Sequence, residues 1–304
     1  MIVVGGEALY DLVAHEDETI AAHPGGGPFN TARTIGRLEQ PVAFLGRLST
    51  DRFGATHERM LADDGVSLAA APRTDDPTTL ALAELDSVGH ARYRFYAAGT
   101  AAPGLTVADA VAALPEGLDI LHVGTLGLVF EPIASALESV VEQVHESVLV
   151  ALDPNCRPAA IDDEAGYRAR LGRVLRRTDV LKLSEEDLTW LDPRRAPLEA
   201  ARAMLDAGPA VVLLTRGGEG AIVISPGGET AVKAPAVDVV DTIGAGDAFG
   251  GGFLAWWHGR GLARQELADH ERVVEATRFA ARVAAITCAR AGASPPRLAE
   301  LETT

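Results

Sequence analysis

Short runs of β-branched and apolar residues alternate along the chain with longer stretches whose apolar positions recur at helical spacing. Strands are expected at 1–5 (MIVVG), 42–48 (VAFLGRL), 119–124 (DILHVG), 147–153 (SVLVALD), 179–183 (DVLKL) and 210–215 (AVVLLT). Between them, Ile133, Leu137, Val140, Val141 and Val144 fall on one face of a helix. Near-continuous apolar strands alternating with helices predict an α/β fold: a mostly parallel sheet with helices on both faces. Two segments break the rhythm. Residues 7–23 and 78–96 each read as strand, turn, strand, the second turning at SVG. Hairpins cannot sit inside a helix-covered parallel sheet, so both are expected to project as a small β lid, about 8–23 and 77–100. After residue 219 come two more strands (GAIVIS and ETAVKA) and then helices. With no linker or repeat, residues 1–304 are expected to form one domain.

Composition narrows the function. The 304 residues carry a formal net charge of -16 and no basic run. Nucleic acid and anionic membrane are therefore excluded as expected partners. The N-terminus lacks a signal-peptide pattern, and no apolar stretch approaches the ~20 residues of a membrane helix. The two cysteines, Cys156 and Cys288, lie far apart, which fits a reducing, cytoplasmic setting.

The stretch VDTIGAGDAFGGGFLAWWHG (240–259) carries the chemistry. Gly244, Ala245 and Gly246 form a tight turn before a buried apolar helix. A helix N-terminus presents unsatisfied N–H groups and partial positive charge, so this turn can hold an anion such as a phosphoryl group. Asp247 stands at that terminus, where the dipole favours its ionised form and it can act as a general base. Gly250, Gly251 and Gly252 suit close helix packing and are assigned no chemistry. There is no G-x-x-x-x-G-K-[ST] phosphate loop, no G-x-G-x-x-G after the first strand and no H-E-x-x-H.

The motif DTIGAGDAF resembles the C-terminal signature of the ribokinase, or PfkB-type, carbohydrate kinases. PGGGPFNTARTIGRL (24–38) with FLGRLSTDRFG (44–54) resembles their N-terminal signature, so the likeness spans the chain. It implies a ribokinase-like fold and phosphoryl transfer from Mg-ATP to a sugar hydroxyl, with Asp247 as base and Gly244, Ala245 and Gly246 as the anion hole. Carried over residue by residue, Asp11, Gly25, Gly26 and Asn30 hold the sugar. Arg157, in ALDPNCRP after a strand, suits a phosphate clamp, and DPN with a nearby arginine resembles the fructokinase-like branch. Thr215, Gly217 and Gly292 are implied for the nucleotide, and Asp241 for a monovalent cation such as K+. The family's N-x-x-E element, which organises Mg2+ through water, is here Ser184 to Asp187, a spacing that equally suits a helix capping box.

These features together point to fructose as acceptor. The alternatives are 2-keto-3-deoxygluconate, ribose or a nucleoside and, from another class, a non-catalytic sugar-binding regulator. The projecting lid strands have free edges that a homodimer would cover.

Overall fold

A computed structural model of the chain describes residues 1–14, 19–85 and 91–302. Its strands are β1 (Ile2–Gly5), β2 (Leu9–Ala14), β3 (Ile20–Gly25), β4 (Val42–Leu45), β5 (Leu48–Ser49), β6 (Arg73–Thr74) and β7 (Leu80–Leu85). They continue with β8 (Ala91–Tyr96), β9 (Ile120–Gly124), β10 (Leu149–Asp153), β11 (Val180–Ser184), β12 (Val211–Thr215), β13 (Ala221–Ser225) and β14 (Gly228–Val232). Eight strands form the main sheet in the order β14-β13-β12-β11-β10-β9-β1-β4. Every pairing from β4 to β12 is parallel; β13 and β14 add an antiparallel edge.

Period-two alternation splits each apolar strand between two cores. Ile2, Val4, Phe44, Ile120 and Val211 face Phe249, Phe253 and Trp257 of the helix Ala245–Gly259 and Val273 of the helix His270–Cys288. Val3, Leu45, Leu121, Val123 and Val212 face Leu137 and Val140 of the helix Ile133–Gln143. This is the two-faced burial the sequence pattern implied. Gly251 and Gly252 let helices close on the Ala245–Gly259 helix. A Cβ at Gly251 would lie 2.7 Å from Thr34 Cβ, and one at Gly252 3.1 Å from Val283 Cβ.

Two expected elements end early. The 42–48 strand stops at Leu45, and Leu48–Ser49 pairs separately with β6. Gly46 sits at the break, where a Cβ would collide with the Gly6 carbonyl and the Phe44 ring. Val144, expected on the 133–144 helix, lies one residue past its end in extended backbone, yet still packs on the same apolar cluster.

The two hairpins are joined rather than separate. β2 and β7 pair in parallel, giving a four-stranded sheet in the order β3-β2-β7-β8. Residues 15–18 and 86–90, including the SVG turn expected at 87–89, lie outside the described residues. Among the described residues, no helix is long and apolar enough to cross a membrane.

Candidate active site

A cleft of about 480 Å³ lies between the small sheet and the carboxyl ends of the main strands, where ligands bind in open α/β folds. Alternate residues of the small sheet (Leu9, Asp11, Val13, Ala83, Tyr93, Phe95) wall one side. Asn30, Gly244, Gly246, Asp247 and Gly292 wall the other, so residues more than 200 positions apart in sequence meet here.

Gly244 caps the Ala245–Gly259 helix at φ 75°, a left-handed conformation that glycine adopts without strain. The Ala245 amide closes a turn onto the Thr242 carbonyl at 3.2 Å. Of the three expected anion-hole positions, Ala245 therefore already has an acceptor. Gly246 and Asp247 supply the next first-turn amides, and both residues line the cleft.

Asp247 is buried, and Asn30 Nδ2 donates to its Oδ2 at 2.9 Å. The helix terminus is not the only influence on its charge. Burial pushes the carboxyl up to about 6, partly offset by the Asn30 bond and by the Lys182 and Arg157 charges, while Asp153 works against them. At neutral pH it is mostly ionised. Asn30 Oδ1 is buried and has no hydrogen-bond partner among the described residues.

Asp11 lies across the cleft, with burial raising its carboxyl to about 6 against the pull of Arg157 and His23. Gly25 brings the chain close to it, since a Cβ there would collide with the Asp11 carboxylate. Gly26 takes φ 108°, and a Cβ there would lie 2.6 Å from the Glu7 carbonyl.

A second recess of about 330 Å³ opens beyond Arg157, lined by Ser184, Glu186, Asp187 and Thr215. Here the capping-box alternative is realised. Ser184 Oγ accepts from the Asp187 amide at 3.0 Å, and Asp187 Oδ2 accepts from the Ser184 amide at 2.8 Å. The other Asp187 oxygen accepts from the Cys156 amide at 2.6 Å, which ties the DPNCRP loop to this helix. Gly217 opens a one-turn segment at φ 53° and lines neither recess. Asp241 accepts from the amides of Ile243 (3.0 Å) and Gly292 (2.8 Å), which joins two expected site residues.

Several site residues escape a reading based on motifs. Glu7 is buried, and its carboxylate accepts from the Thr125 hydroxyl (2.5 Å) and from the amides of Gly127 (2.9 Å) and Gly27 (3.2 Å). Burial raises it to about 7, against those hydrogen bonds. Thr125 is held at φ 52°, a strained conformation for a β-branched residue. Lys182 and Asp153 form a buried ion pair at 2.6 Å under the first turn of the Ala245–Gly259 helix. The signal for Lys182 was available: a charged residue in the middle of an apolar strand buried on both faces demands a partner. Glu7 gave a weaker one, as the unassigned acid of GEALYD.

The profile of the pfkB family carbohydrate kinases matches residues 1–300. A fructokinase of Rhizobium leguminosarum bv. trifolii is 34% identical over 259 residues, covering 84% of this chain and 79% of that protein. The structure of a fructokinase with bound ATP from Xylella fastidiosa superposes with a TM-score of 0.90 at 27% identity, covering 99% of this chain and 97% of that one. A Vibrio cholerae O395 fructokinase solved with fructose, ADP and calcium ion gives 0.83 at 28% identity, with the same coverage of 99% and 97%. Its double mutant, solved with fructose, ADP and potassium ion, gives 0.85 at 28% identity and again 99% and 97%. A profile match over nearly the whole length, together with a relative 34% identical across most of both proteins, leads to one assignment: the chain belongs to the pfkB family of carbohydrate kinases.

Proposed function

We propose that the protein is an ATP-dependent fructokinase. The observation that carries this reading is the placement of Asp247, buried, mostly ionised and fixed by Asn30 in one cleft with Asp11. A fructose hydroxyl gives its proton to Asp247 as its oxygen forms a bond to the γ-phosphorus of Mg-ATP. The bond from that phosphorus to the bridging oxygen breaks, and ADP leaves. The amides of Gly246 and Asp247 receive the spreading negative charge. Asp11 and the unpartnered Asn30 Oδ1 accept from sugar hydroxyls, while Gly25 and Gly26 let the sugar approach the backbone. The β lid excludes water that would otherwise take the phosphoryl group.

The nucleotide occupies the side of Thr215, Gly217 and Gly292, and Arg157 lies between the two recesses to clamp phosphate. Mg2+ enters with ATP as substrate. Asp187 has both oxygens engaged, by the amides of Cys156 and Ser184 and by the Ser184 hydroxyl, so a water-mediated contact to the ion would use what acceptor capacity remains, and the exposed Glu186 lines the same recess. A K+ ion fits beside Asp241, whose carboxylate bridges two loops with no cationic side chain paired to it among the described residues. When bound, that ion would order the two loops.

The free thiols Cys156 and Cys288 support a cytoplasmic setting. Exposed Ile20 and Tyr96 on the outer strands of the lid support a homodimer through that sheet. The test is ADP release with Mg-ATP against fructose, ribose, 2-keto-3-deoxygluconate, adenosine and no sugar. Fructose-dependent turnover well above the rest is expected; turnover only with another sugar would discard fructose, and silence with ATP still bound would favour a regulator.

A further inference from the structure

The helix Gly27–Arg37 is buried at every position from Pro28 to Ile35, and one of those positions is Arg33, 7% exposed. A charge is costly to take out of water, and a buried ion pair usually contributes little net stability, so this arginine calls for another reason. Its planar fork faces two partners. Nε donates to Asp64 Oδ2 at 2.8 Å, and Nη1 donates to the Ala293 carbonyl at 3.2 Å, 260 positions away in sequence. Asp64 does not depend on Arg33, because Arg37 (3.0 Å) and Arg297 (3.5 Å) also reach it. The ion pair therefore fixes where the guanidinium sits, and the bond to Ala293 is what Arg33 adds. Residues 291–293 form part of the cleft wall. A Cβ on Gly244, the left-handed cap of the Ala245–Gly259 helix, would lie 2.6 Å from Ala293 Cβ, so the loop rests directly on that cap. Next to it, the Gly292 amide donates to Asp241 Oδ2 at 2.8 Å. The loop is thus tied on one side to the segment that leads into the anion hole and on the other to the helix that carries Asn30.

We infer that Arg33 is a positioning residue, which holds the 291–293 loop against Gly244 and so shapes the nucleotide side of the cleft. The inference rests on the kinase reading of the same cleft. Burial pulls the guanidinium below its ordinary pKa and Asp64 opposes this, yet arginine keeps its charge at neutral pH. The guanidinium also lies 5.4 Å from the centre of the Phe29 ring, one turn back on the same helix, which helps to hold the plane of the fork. Without Arg33 the loop keeps its Asp241 tether and loses the one to the helix Gly27–Arg37. Gly244 then has a looser neighbour just where the first-turn amides meet phosphate. Asp11 stands on the opposite wall of the cleft, so the loss falls on nucleotide binding and not on the sugar.

The test separates the loop tether from the ion pair. Arg33→Met removes both bonds but leaves Asp64 with Arg37 and Arg297. Arg37→Met takes a different cation from Asp64 and leaves the bond to Ala293 in place. Arg290 opens the loop and is partly exposed, so trypsin cleavage after it, followed by mass spectrometry on the native protein, reports how firmly the loop is held. With the thermal midpoint of each variant recorded, Arg33→Met is expected to be cut after Arg290 about tenfold faster than wild type or more. Its affinity for ADP by calorimetry should fall about tenfold or more, as when one hydrogen bond to a charged group is lost, and KM for Mg-ATP should rise in proportion. KM for fructose should stay within twofold, and Arg37→Met should leave every one of these values within twofold. Should Arg33→Met fail to fold, Arg33→Gln, shorter but still polar, is expected to fold and to show the same pattern, because it cannot span both partners. A folded Arg33 variant with Arg290 cleavage and ADP affinity within twofold of wild type would overturn the inference. Equal effects from Arg37→Met would also overturn it, by moving the cause to the Asp64 ion pairs, as would a rise in KM for fructose matching that for Mg-ATP. If no sugar of the panel is turned over while cleavage and ADP affinity respond as stated, the kinase reading fails and the positioning role stands. A wild type that binds no ADP would overturn both.

Discussion

Replacing Asp247 by asparagine should change catalysis and stability in opposite directions. The amide keeps an oxygen that can accept the 2.9 Å bond from Asn30, so the local geometry has reason to persist. What is lost is the base. A positioned general base contributes roughly 10²–10⁴ in rate, or about 2.7–5.4 kcal/mol of barrier. Stability moves the other way. Burial raises the carboxyl from 3.8 to about 6, so holding it ionised costs the folded state on the order of 3 kcal/mol. Because the folded pKa is the higher one, the penalty from this one carboxyl is absent below about pH 4 and grows as pH rises to about 6. The variant lacks this penalty. Its stability advantage should be absent below pH 4 and grow to at most about 3 kcal/mol above pH 6. Asp153 and Asp187 remain to compensate Lys182. The assays are steady-state kcat with saturating fructose and Mg-ATP, and urea unfolding at pH 4 and pH 8. A kcat within threefold of wild type would remove Asp247 from the base role, and equal or lower stability of the variant at pH 8 would refute the buried-charge argument.

Three further outcomes are expected. Asn30→Ala removes the bond that lowers the Asp247 pKa, so the acidic limb of kcat/KM against pH should move above about 6; an unmoved limb in a full pH profile would mean the bond is electrostatically silent. Ser184→Ala breaks the capping box and should lower stability by about 0.5–2 kcal/mol in chemical denaturation, with a proportionate effect on kcat only if this element also serves the metal. Gly251→Ala drives a methyl to 2.7 Å from Thr34 Cβ and should cost about 1–3 kcal/mol, measured by thermal unfolding, although alanine is the better helix former.

Much of this molecule is written locally. The parallel sheet was legible because strands buried on both faces must be mostly apolar, as β1, β9, β10 and β12 are, and as β11 is apart from Lys182 and Ser184. The Gly-Ala-Gly-Asp turn was legible because a left-handed cap and a helix N-terminus need those residue types in that order, whatever the rest of the chain does. Other features depend on partners far away in sequence. Nothing near residue 182 says that its ammonium will meet Asp153 and the gap left by Gly246, because that meeting requires β10, β11 and the Ala245–Gly259 helix to be packed together. The Asp247 charge shows the same division. Local chemistry supplied a carboxylate at a favourable helix end, but desolvation by the assembled core outweighs that effect and moves its pKa to about 6. Likewise two hairpins could be read from alternation, whereas their union through β2 and β7 is a non-local pairing that no local pattern encodes. The sequence thus determined the elements and the residue types of the site. Tertiary structure decided which charges lie together out of water, because burial and Coulomb interaction depend on distance in space and not on distance along the chain.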